Sequence, residues 1–157
     1  MWEERWSKTK SLVYYLNTQT KESQWEEPSP DQEILPLPAA QKPIRCAHIL
    51  VKHRDSRRPA SHRNNEITIT VQEASDKITR LRLEITGNAA STLAIEVARV
   101  AKLESDCSSF AKGGDLGLFV RGQMQPAFET AAFALEVGEL SELVSSDSGI
   151  HLIYRLA

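Results

Sequence analysis

The chain has 157 residues, of which 41% are hydrophobic and 25% are charged, and its formal net charge is −2. This composition is typical of a folded globular protein, and the length allows a small domain joined to a domain of about a hundred residues. There is no run of about 18 apolar residues and no apolar N-terminal segment, so we expect neither a membrane span nor a signal peptide. The two cysteines are too few for a disulfide framework and favour a reducing compartment.

Aromatic residues are concentrated at the N-terminus. All three tryptophans and two of the three tyrosines lie within the first 28 residues. Short runs of strand-forming residues alternate there with polar turns, at positions 3–7, 12–17 and 23–25. The pattern predicts a three-stranded antiparallel sheet over residues 1–29, and a sheet this small needs aromatic burial to be stable.

Residues 30–43 contain four prolines and no glycine, which is typical of a semi-extended linker. Polyproline II backbone rises about 3.1 Å per residue, so the segment reaches up to roughly 45 Å. We therefore expect the two flanking domains to be able to lie side by side or to swing apart.

The segment from residue 44 to residue 157 mixes strand and helix signals. Alternation over residues 45–52 predicts a strand with the even-numbered positions on one face and the odd-numbered positions on the other. Residues Thr70–Glu73 form a capping box that begins a helix running to about Ile85, with Gly87 as its stop. A second helix is predicted over 91–103, a third begins at Pro126, and strands follow at 143–145 and 150–155. This order predicts an α+β domain with an antiparallel sheet.

The stretch 104–128 holds four of the seven glycines. Glycines beside apolar side chains mark backbone that turns tightly or lies close to a ligand. One interpretation is a small apolar pocket with a thiol as its polar group, lined by Leu116, Phe119, Met124, Phe128 and Cys107. The other is a surface loop with a core cysteine, and the spacing alone does not decide between them.

Five short motifs in order carry a resemblance to a known family. They are Ile-Arg-Cys-Ala-His-Ile-Leu-Val-Lys-His from Ile44, Ser-Asp-Cys-Ser-Ser from Ser105, Gly-Gly-Asp-Leu-Gly from Gly113, Gly-Gln-Met-Gln-Pro-Ala-Phe from Gly122 and Asp-Ser-Gly-Ile-His-Leu-Ile from Asp147. Together they resemble the parvulin family of peptidyl-prolyl cis/trans isomerases over about residues 44–157. The resemblance implies a four-stranded antiparallel sheet with surrounding helices.

The parvulin resemblance also assigns site residues. It places Cys107 against the rotating carbonyl, with His48, His151 and Ser146 behind it, and it forms the substrate proline pocket from Leu116, Met124, Phe128 and Gln125. It implies that Lys52, Arg57 and Arg58 bind phosphate in the phospho-specific subclass. The residues alone leave other interpretations open. A histidine in the middle of a strand, such as His48 or His151, is more often a core residue than a catalytic one. Cys107 with a histidine is also compatible with a nucleophile, and a basic loop is also compatible with a solvated surface or a nucleic-acid-binding patch.

The N-terminal segment resembles a WW domain, a module that binds proline-containing peptides. The pattern consists of Trp2, the pair Tyr14-Tyr15, Trp25 and Pro28. The resemblance implies that Tyr14 and Trp25 clamp a proline ring, and that Arg5, Ser7 and Lys8 bind phosphate. Lys8 stands where the phospho-specific subclass usually has arginine, so it lacks a bidentate fork. The usual Leu-Pro-x-Gly lead and the glycine of the first loop are missing, which predicts marginal stability.

Together the two resemblances imply an isomerase of phosphoSer/phosphoThr-Pro bonds that acts without covalent attack, cofactor or metal. The implied partners are phosphorylated Ser/Thr-Pro proteins, with no nucleic acid and no membrane, and we expect a monomer in the nucleus and cytoplasm that regulates the cell cycle or transcription. Two other functions are a binding-only phosphopeptide adaptor and a cysteine hydrolase that uses Cys107 with a histidine. Faster exchange between the cis and trans forms of a proline peptide would support the isomerase and argue against the adaptor. Cleavage of the peptide would support the hydrolase.

Overall fold

The computed structural model describes every residue from 1 to 157. The strands are β1 (Trp2–Ser7), β2 (Leu12–Asn17), β3 (Ser23–Gln24), β4 (Ile34–Leu35), β5 (Ile44–Val51), β6 (Asp115–Phe119), β7 (Val144–Ser146) and β8 (Gly149–Arg155). The α-helices are α1 (Val71–Gly87), α2 (Leu93–Glu104) and α3 (Pro126–Ala134), and two short 3₁₀-helices lie at Ala39–Gln41 and Ser108–Lys112. This is the α+β architecture that the sequence predicts.

The N-terminal sheet contains the three predicted antiparallel strands and one more. Its strand order is β3-β2-β1-β4, and β4 comes from the predicted linker and pairs in parallel with β1. The Trp2 N–H donates to the Glu33 carbonyl at 2.9 Å, and the Glu4 carboxylate accepts from the Leu37 N–H at 3.0 Å. An edge strand exposes unpaired backbone groups, so the linker fills a free position beside β1.

This pairing changes the expectation for residues 30–43. Instead of an extended segment free along its length, the linker carries strand β4, the buried side chain of Leu37 and a turn of 3₁₀-helix at Ala39–Gln41. The prolines of the linker lie outside Ile34–Leu35, the two residues that pair with β1. Their missing N–H groups therefore do not interrupt the backbone hydrogen bonds of β4. The linker is therefore attached to the N-terminal sheet over residues 33–37, and the freedom of the two domains to swing apart stays a prediction.

The second sheet has the order β6-β5-β8-β7, with every neighbouring pair antiparallel. The central strand β5 divides the core as its alternation predicts. Ala47, Ile49 and Val51 pack in the larger cluster with α1 and α2, while Ile44 and Cys46 pack in a smaller cluster with α3. The two faces of one strand thus place helices on both sides of the sheet, and the smaller cluster supports the candidate site.

Local signals set the helix ends. The side chains of Thr70 and Thr92 accept hydrogen bonds from the backbone N–H groups of the third residue of α1 and α2, and α3 has Pro126 in its first turn. Helix α1 runs through Gly87, and Asn88 is its C-cap. No helix combines the length and the apolar character needed to cross a bilayer.

Candidate active site

Two histidines from the central strands form the centre of the candidate site. His48 on β5 is opposite Ile153, and His151 lies two residues before Ile153 on β8, so the histidines are diagonal neighbours on one face. Their Nδ1 atoms are 3.0 Å apart and their rings stack at a centroid distance of 5.2 Å. Both side chains are buried. Antiparallel register thus brings together two residues separated by 103 positions.

The histidine pair is held in the neutral form. Burial lowers the pKa of His48 to about 4. Burial, and then the nearby His48, lower the pKa of His151 to about 3. At 3.0 Å one Nδ1 donates and the other accepts, so each ring of the neutral pair has a defined tautomer. The pair therefore supplies a fixed neutral dipole rather than a proton relay at neutral pH.

Ser146 lies beside this pair. Its Oγ is 2.6 Å from Nε2 of His151 and accepts a hydrogen bond from the Ser148 N–H at 3.2 Å. The His48 Nε2 atom is buried without a hydrogen-bond partner. The structure thus brings the three predicted residues His48, His151 and Ser146 into one chain of contacts, anchored to the turn between β7 and β8.

Cys107 lies in the turn that connects α2 to the second 3₁₀-helix. Its side chain is half-buried, and its N–H donates to the Ser105 hydroxyl at 3.3 Å. A cleft of about 530 Å³ is lined by Cys107 together with Lys52, Arg58 and Ser148. The cysteine therefore belongs to an open cleft and not to the core. The other cysteine, Cys46, is fully buried, and burial raises the pKa of its thiol to about 11.

The Gly-Gly segment brings the following strand close to His48. The His48 N–H donates to the Gly114 carbonyl at 3.0 Å, and a Cβ atom on Gly114 would lie 2.3 Å from the His48 carbonyl oxygen. Gly114 also has a φ of +82°, which favours glycine. The glycines of this stretch predicted backbone that lies close to a neighbour, and for Gly114 that neighbour is the backbone of strand β5.

Among the apolar residues assigned to the proline pocket, Phe128 lies against the histidine pair. Phe128 is buried on α3 and sets its ring edge-on to His48 at 5.5 Å and to His151 at 5.2 Å. Leu116 and Met124 are half-buried and pack against the same cluster. Phe119 differs from the expectation for the glycine-rich stretch, because it is 2% exposed and lies in the core. It supports Phe128 from behind and does not line a pocket.

Gln125 takes a role different from that of the apolar residues. Its Nε2 donates to the Ser148 hydroxyl at 2.9 Å, and its Oε1 accepts from the Asp147 N–H at 3.1 Å. Both ends of the amide are used by the turn between β7 and β8. Gln125 therefore ties the start of α3 to that turn.

The basic residues follow β5 in a helix-free loop, residues 53–66, which we call the basic loop. Arg57 and Arg58 are exposed, and Arg58 lines the cleft beside Cys107. The Lys52 ammonium donates to the Ala60 carbonyl at 2.8 Å and leaves two N–H groups free. The backbone N–H of Arg57 donates to the Asp147 carbonyl at 2.8 Å. Cations thus collect at one rim of the cleft.

Sequence reasoning missed several residues of this cleft. It used the Ser-Asp-Cys-Ser-Ser motif for its cysteine alone, yet Ser105 is fully buried and Asp106 lines the cleft. His62 and Phe110 stack face to face on the rim with ring centroids 3.7 Å apart. Residues 62 and 110 are far apart in sequence, so no local pattern predicts their contact.

The aromatic groove of the N-terminal sheet contains three of the five predicted residues. Tyr14 and Trp25 meet edge to face with centroids 5.8 Å apart, and Trp25 is 53% exposed. Ser7 lines the same groove, and so does Trp6, which the sequence reasoning did not assign. The Ser7 hydroxyl accepts from the Lys10 N–H at 3.2 Å and caps the first loop.

Arg5 and Lys8 lie in an adjoining groove of about 720 Å³, between β1, the linker and Val120-Arg121 of the second domain. Tyr14 and Trp6 line both grooves. The Arg5 guanidinium pairs with the Glu3 carboxylate at 2.9 Å, which raises its pKa. Arg5 therefore has an acidic partner already, and Lys8 is exposed.

Two family profiles match the chain. The PPIC-type PPIASE domain, or rotamase, matches residues 48–157, and the WW domain matches residues 1–28. A peptidyl-prolyl cis-trans isomerase, ESS1 of Saccharomyces cerevisiae, is 49% identical over 158 residues, covering 99% of this chain and 91% of the relative. The putative peptidyl-prolyl cis-trans isomerase dodo of Drosophila melanogaster is 47% identical, covering 99% of this chain and 94% of the relative.

A solved structure is similar over the same length. Peptidyl-prolyl isomerase ESS1 from Candida albicans matches with a TM-score of 0.68 and 35% sequence identity, covering 99% of this chain and 94% of that one. The sequence comparisons and the fold agree. The chain therefore belongs to the PPIC-type, or parvulin, family of peptidyl-prolyl cis-trans isomerases and carries an N-terminal WW domain.

Proposed function

We propose that this isomerase acts on phosphoSer-Pro and phosphoThr-Pro bonds of other proteins, and that its WW domain binds such segments. The observation that carries the proposal is the cleft where Lys52 and Arg58 line one wall beside Cys107. The phosphorylated residue comes directly before the proline, so its phosphate and the rotating amide must lie within one residue of each other. A cationic rim beside Cys107 suits that requirement.

The reaction is a rotation about the partly double C–N bond, with a barrier of about 18–20 kcal/mol. Rotation makes and breaks no covalent bond, so the enzyme has to hold the proline ring and let the preceding carbonyl turn. Leu116 and Met124, packed on Phe128, offer the ring an apolar surface. An apolar surrounding also disfavours the planar amide, whose resonance form carries more charge separation than the twisted one.

Cys107 and the histidine pair act on the twisting amide without attacking it. Loss of resonance changes the charge on the carbonyl oxygen and nitrogen, and a nearby fixed dipole stabilises the new distribution. In this proposal the buried, neutral His48–His151 pair, held by Ser146, is that fixed dipole. Acyl transfer is unnecessary to this rotation, and a neutral His pair with pKa values of about 4 and about 3 is a poor general base for thiol activation at neutral pH.

Phosphate selectivity rests on the basic rim. A phosphoserine side chain carries about −1.5 to −2 charge at pH 7, and arginine forms charge-assisted bonds to it. Arg57 and Arg58 are exposed, and the N–H of Arg57 is fixed to the turn between β7 and β8. Two adjacent guanidinium groups on a loop anchored in this way form a clamp for a dianion.

The WW domain supplies a second phosphopeptide site in this proposal. In this proposal Tyr14 and Trp25 hold the proline ring. We assign the phosphate of the preceding residue to Ser7 and Lys8, which line the two adjoining grooves that share Tyr14. Lysine offers a point charge without the bidentate fork of arginine. We therefore expect this site to prefer phosphorylated peptides less strongly than a site with arginine at position 8.

Exchange NMR on three matched peptides, containing pSer-Pro, Glu-Pro and Ala-Pro, tests the proposal. We expect kcat/KM to be highest for pSer-Pro, and the double variant Arg57→Ala/Arg58→Ala to lower that value tenfold or more, since each charge-assisted bond contributes about 1.5–3 kcal/mol. The charge-matched control is Arg80→Ala/Lys102→Ala, which removes two exposed cations from α1 and α2. Equal turnover of the three peptides by the wild type would refute phosphate selectivity.

A further inference from the structure

Asp106, next to Cys107, joins three parts of the catalytic domain. Its N–H donates to the Leu50 carbonyl at 2.7 Å. One carboxylate oxygen accepts from the Lys52 N–H at 3.0 Å, and the other accepts from the Ser61 hydroxyl at 2.8 Å. Strand β5, the cysteine turn and the basic loop therefore meet at this single side chain.

Ser105 fixes the same turn to β5 from the other side. Its hydroxyl, fully buried, accepts from the Leu50 N–H at 3.1 Å and from the Cys107 N–H at 3.3 Å. Together with the Asp106 N–H bond, this gives the cysteine turn a defined position on the strand. Because the cysteine turn is fixed in this way, a side chain that bonds the basic loop to the turn also sets the distance between the loop and Cys107.

Two further contacts hold the basic loop near Asp106. The Lys52 ammonium donates to the Ala60 carbonyl, and the Arg63 guanidinium donates to the Glu104 carbonyl at 2.8 Å. Arg63 also pairs with the Glu104 carboxylate at 3.2 Å. The end of the loop, from Ala60 to Arg63, is therefore tied down, while Arg57 and Arg58 extend from it toward solvent.

A carboxylate is an unfavourable neighbour for a phosphate. Asp106 lines the cleft together with Lys52 and Arg58, so its charge opposes a bound dianion. Its oxygens are nevertheless both used, one by a backbone N–H and one by a hydroxyl. A charge that repels phosphate and two oxygens that are already bonded indicate that Asp106 fixes the position of the loop and does not contact the substrate.

We propose that Asp106, acting through Ser61, is a positioning residue that holds the phosphate-binding loop in register with Cys107. The inference rests on the proposed selectivity for phosphorylated substrates and names the residues that make this selectivity possible. Loss of the Ser61–Asp106 hydrogen bond loosens the basic loop relative to the cysteine turn. The phosphate and the amide are then no longer held at the matching distance, so the advantage of a pSer-Pro substrate over an Ala-Pro substrate declines.

The test measures kcat/KM for pSer-Pro and Ala-Pro peptides by exchange NMR in the full chain. The variants are Ser61→Ala, Ser61→Thr, Asp106→Asn and the double variant Asp106→Asn/Ser61→Ala. Ser61→Ala is expected to lower the pSer-Pro to Ala-Pro ratio by about three- to tenfold, the effect of one hydrogen bond, while Ser61→Thr keeps the hydroxyl and the ratio. The double variant is expected to lower the ratio no further than Ser61→Ala, because the bond to position 61 is already lost there and the asparagine oxygen can still accept from the Lys52 N–H.

Asp76→Asn is the matched control, since Asp76 accepts from Gln72 on the surface of α1 and its loss should leave the ratio unchanged. If Asp106→Asn does not fold, the two Ser61 variants decide. An unchanged ratio in Ser61→Ala, or equal losses on both peptides, would overturn this inference while the wild-type preference stands. A wild type without any preference would refute the proposed function, and this inference with it.

Discussion

Acid should destabilise the catalytic domain through the His48–His151 pair at a pH where the carboxylates are still ionised. Burial holds the pKa of His48 at about 4 and that of His151 at about 3, whereas both titrate near 6.5 in the unfolded chain. Between these values the unfolded chain binds more protons than the folded one, so the free energy of unfolding rises with pH. The contribution of the pair is therefore complete above about pH 6.5 and is lost as the pH falls through about 4 for His48 and about 3 for His151.

The magnitude follows from the unfolded state. At pH 5, about 1.5 pH units below the unfolded pKa, protonation of each unfolded histidine costs the fold about 2 kcal/mol. Both folded pKa values lie below 5, so the two contributions add to about 4 kcal/mol. This is a large share of the 5–15 kcal/mol that holds a typical domain together.

Urea unfolding at pH 7.5 and pH 5 measures the loss. All three tryptophans lie in the WW domain, whereas α1, α2 and α3 all lie in the catalytic domain, so circular dichroism at about 222 nm follows the catalytic domain. The double variant His48→Asn/His151→Asn should lose about 4 kcal/mol less than the wild type between the two pH values.

The exposed His62 supplies the control, because His62→Asn should keep the wild-type pH dependence. The reasoning fails if wild type and double variant lose the same free energy of unfolding, since the buried pair would then not be the titrating group. It also fails if His62→Asn alone removes the effect.

Three further outcomes are expected. Cys107→Asp should retain substantial isomerase activity in line-shape NMR and exceed Cys107→Ala, because a polar group facing the amide matters and a thiolate nucleophile does not; an aspartate variant at or below the alanine level contradicts this. Trp25→Ala should abolish the chemical-shift changes of residues 1–29 on phosphopeptide addition and leave turnover of short peptides nearly unchanged; persistent shifts would mean that another side chain clamps the proline. Gly114→Ala should destabilise the catalytic domain by about 3 kcal/mol or more, because Gly114 has a left-handed φ and a Cβ atom there would lie 2.3 Å from the His48 carbonyl oxygen. Gly87→Ala is the control, since a Cβ atom at Gly87 has open space around it. Equal melting temperatures of the two variants would refute the packing argument.

The sequence was sufficient where the signal is local. Alternation along 45–52 predicted the two faces of β5, and the threonine at position 70 and Pro126 predicted two helix starts to within a residue. These features depend on neighbours within four positions, so a linear reading captures them. The other site residues were predicted only through the resemblance to the parvulin and WW families. The spacing of the residues does not say which of them lie close together in the fold.

The tertiary structure decided everything that depends on contact between distant segments. Strand β4 forms because β1 has an unfilled edge, and two residues of a proline-rich segment give no period by which to predict it. Asp106 reaches Ser61 across 45 positions, and the burial of Phe119 follows from the packing of α3 on the sheet. The sequence by itself therefore determined the helices and the longer strands, but not β4, and it determined the residue types of the site. The burial that keeps both histidines neutral, and the hydrogen bonds that place the basic loop beside Cys107, arise only when the chain closes on itself, because desolvation and non-local pairing are properties of the packed fold.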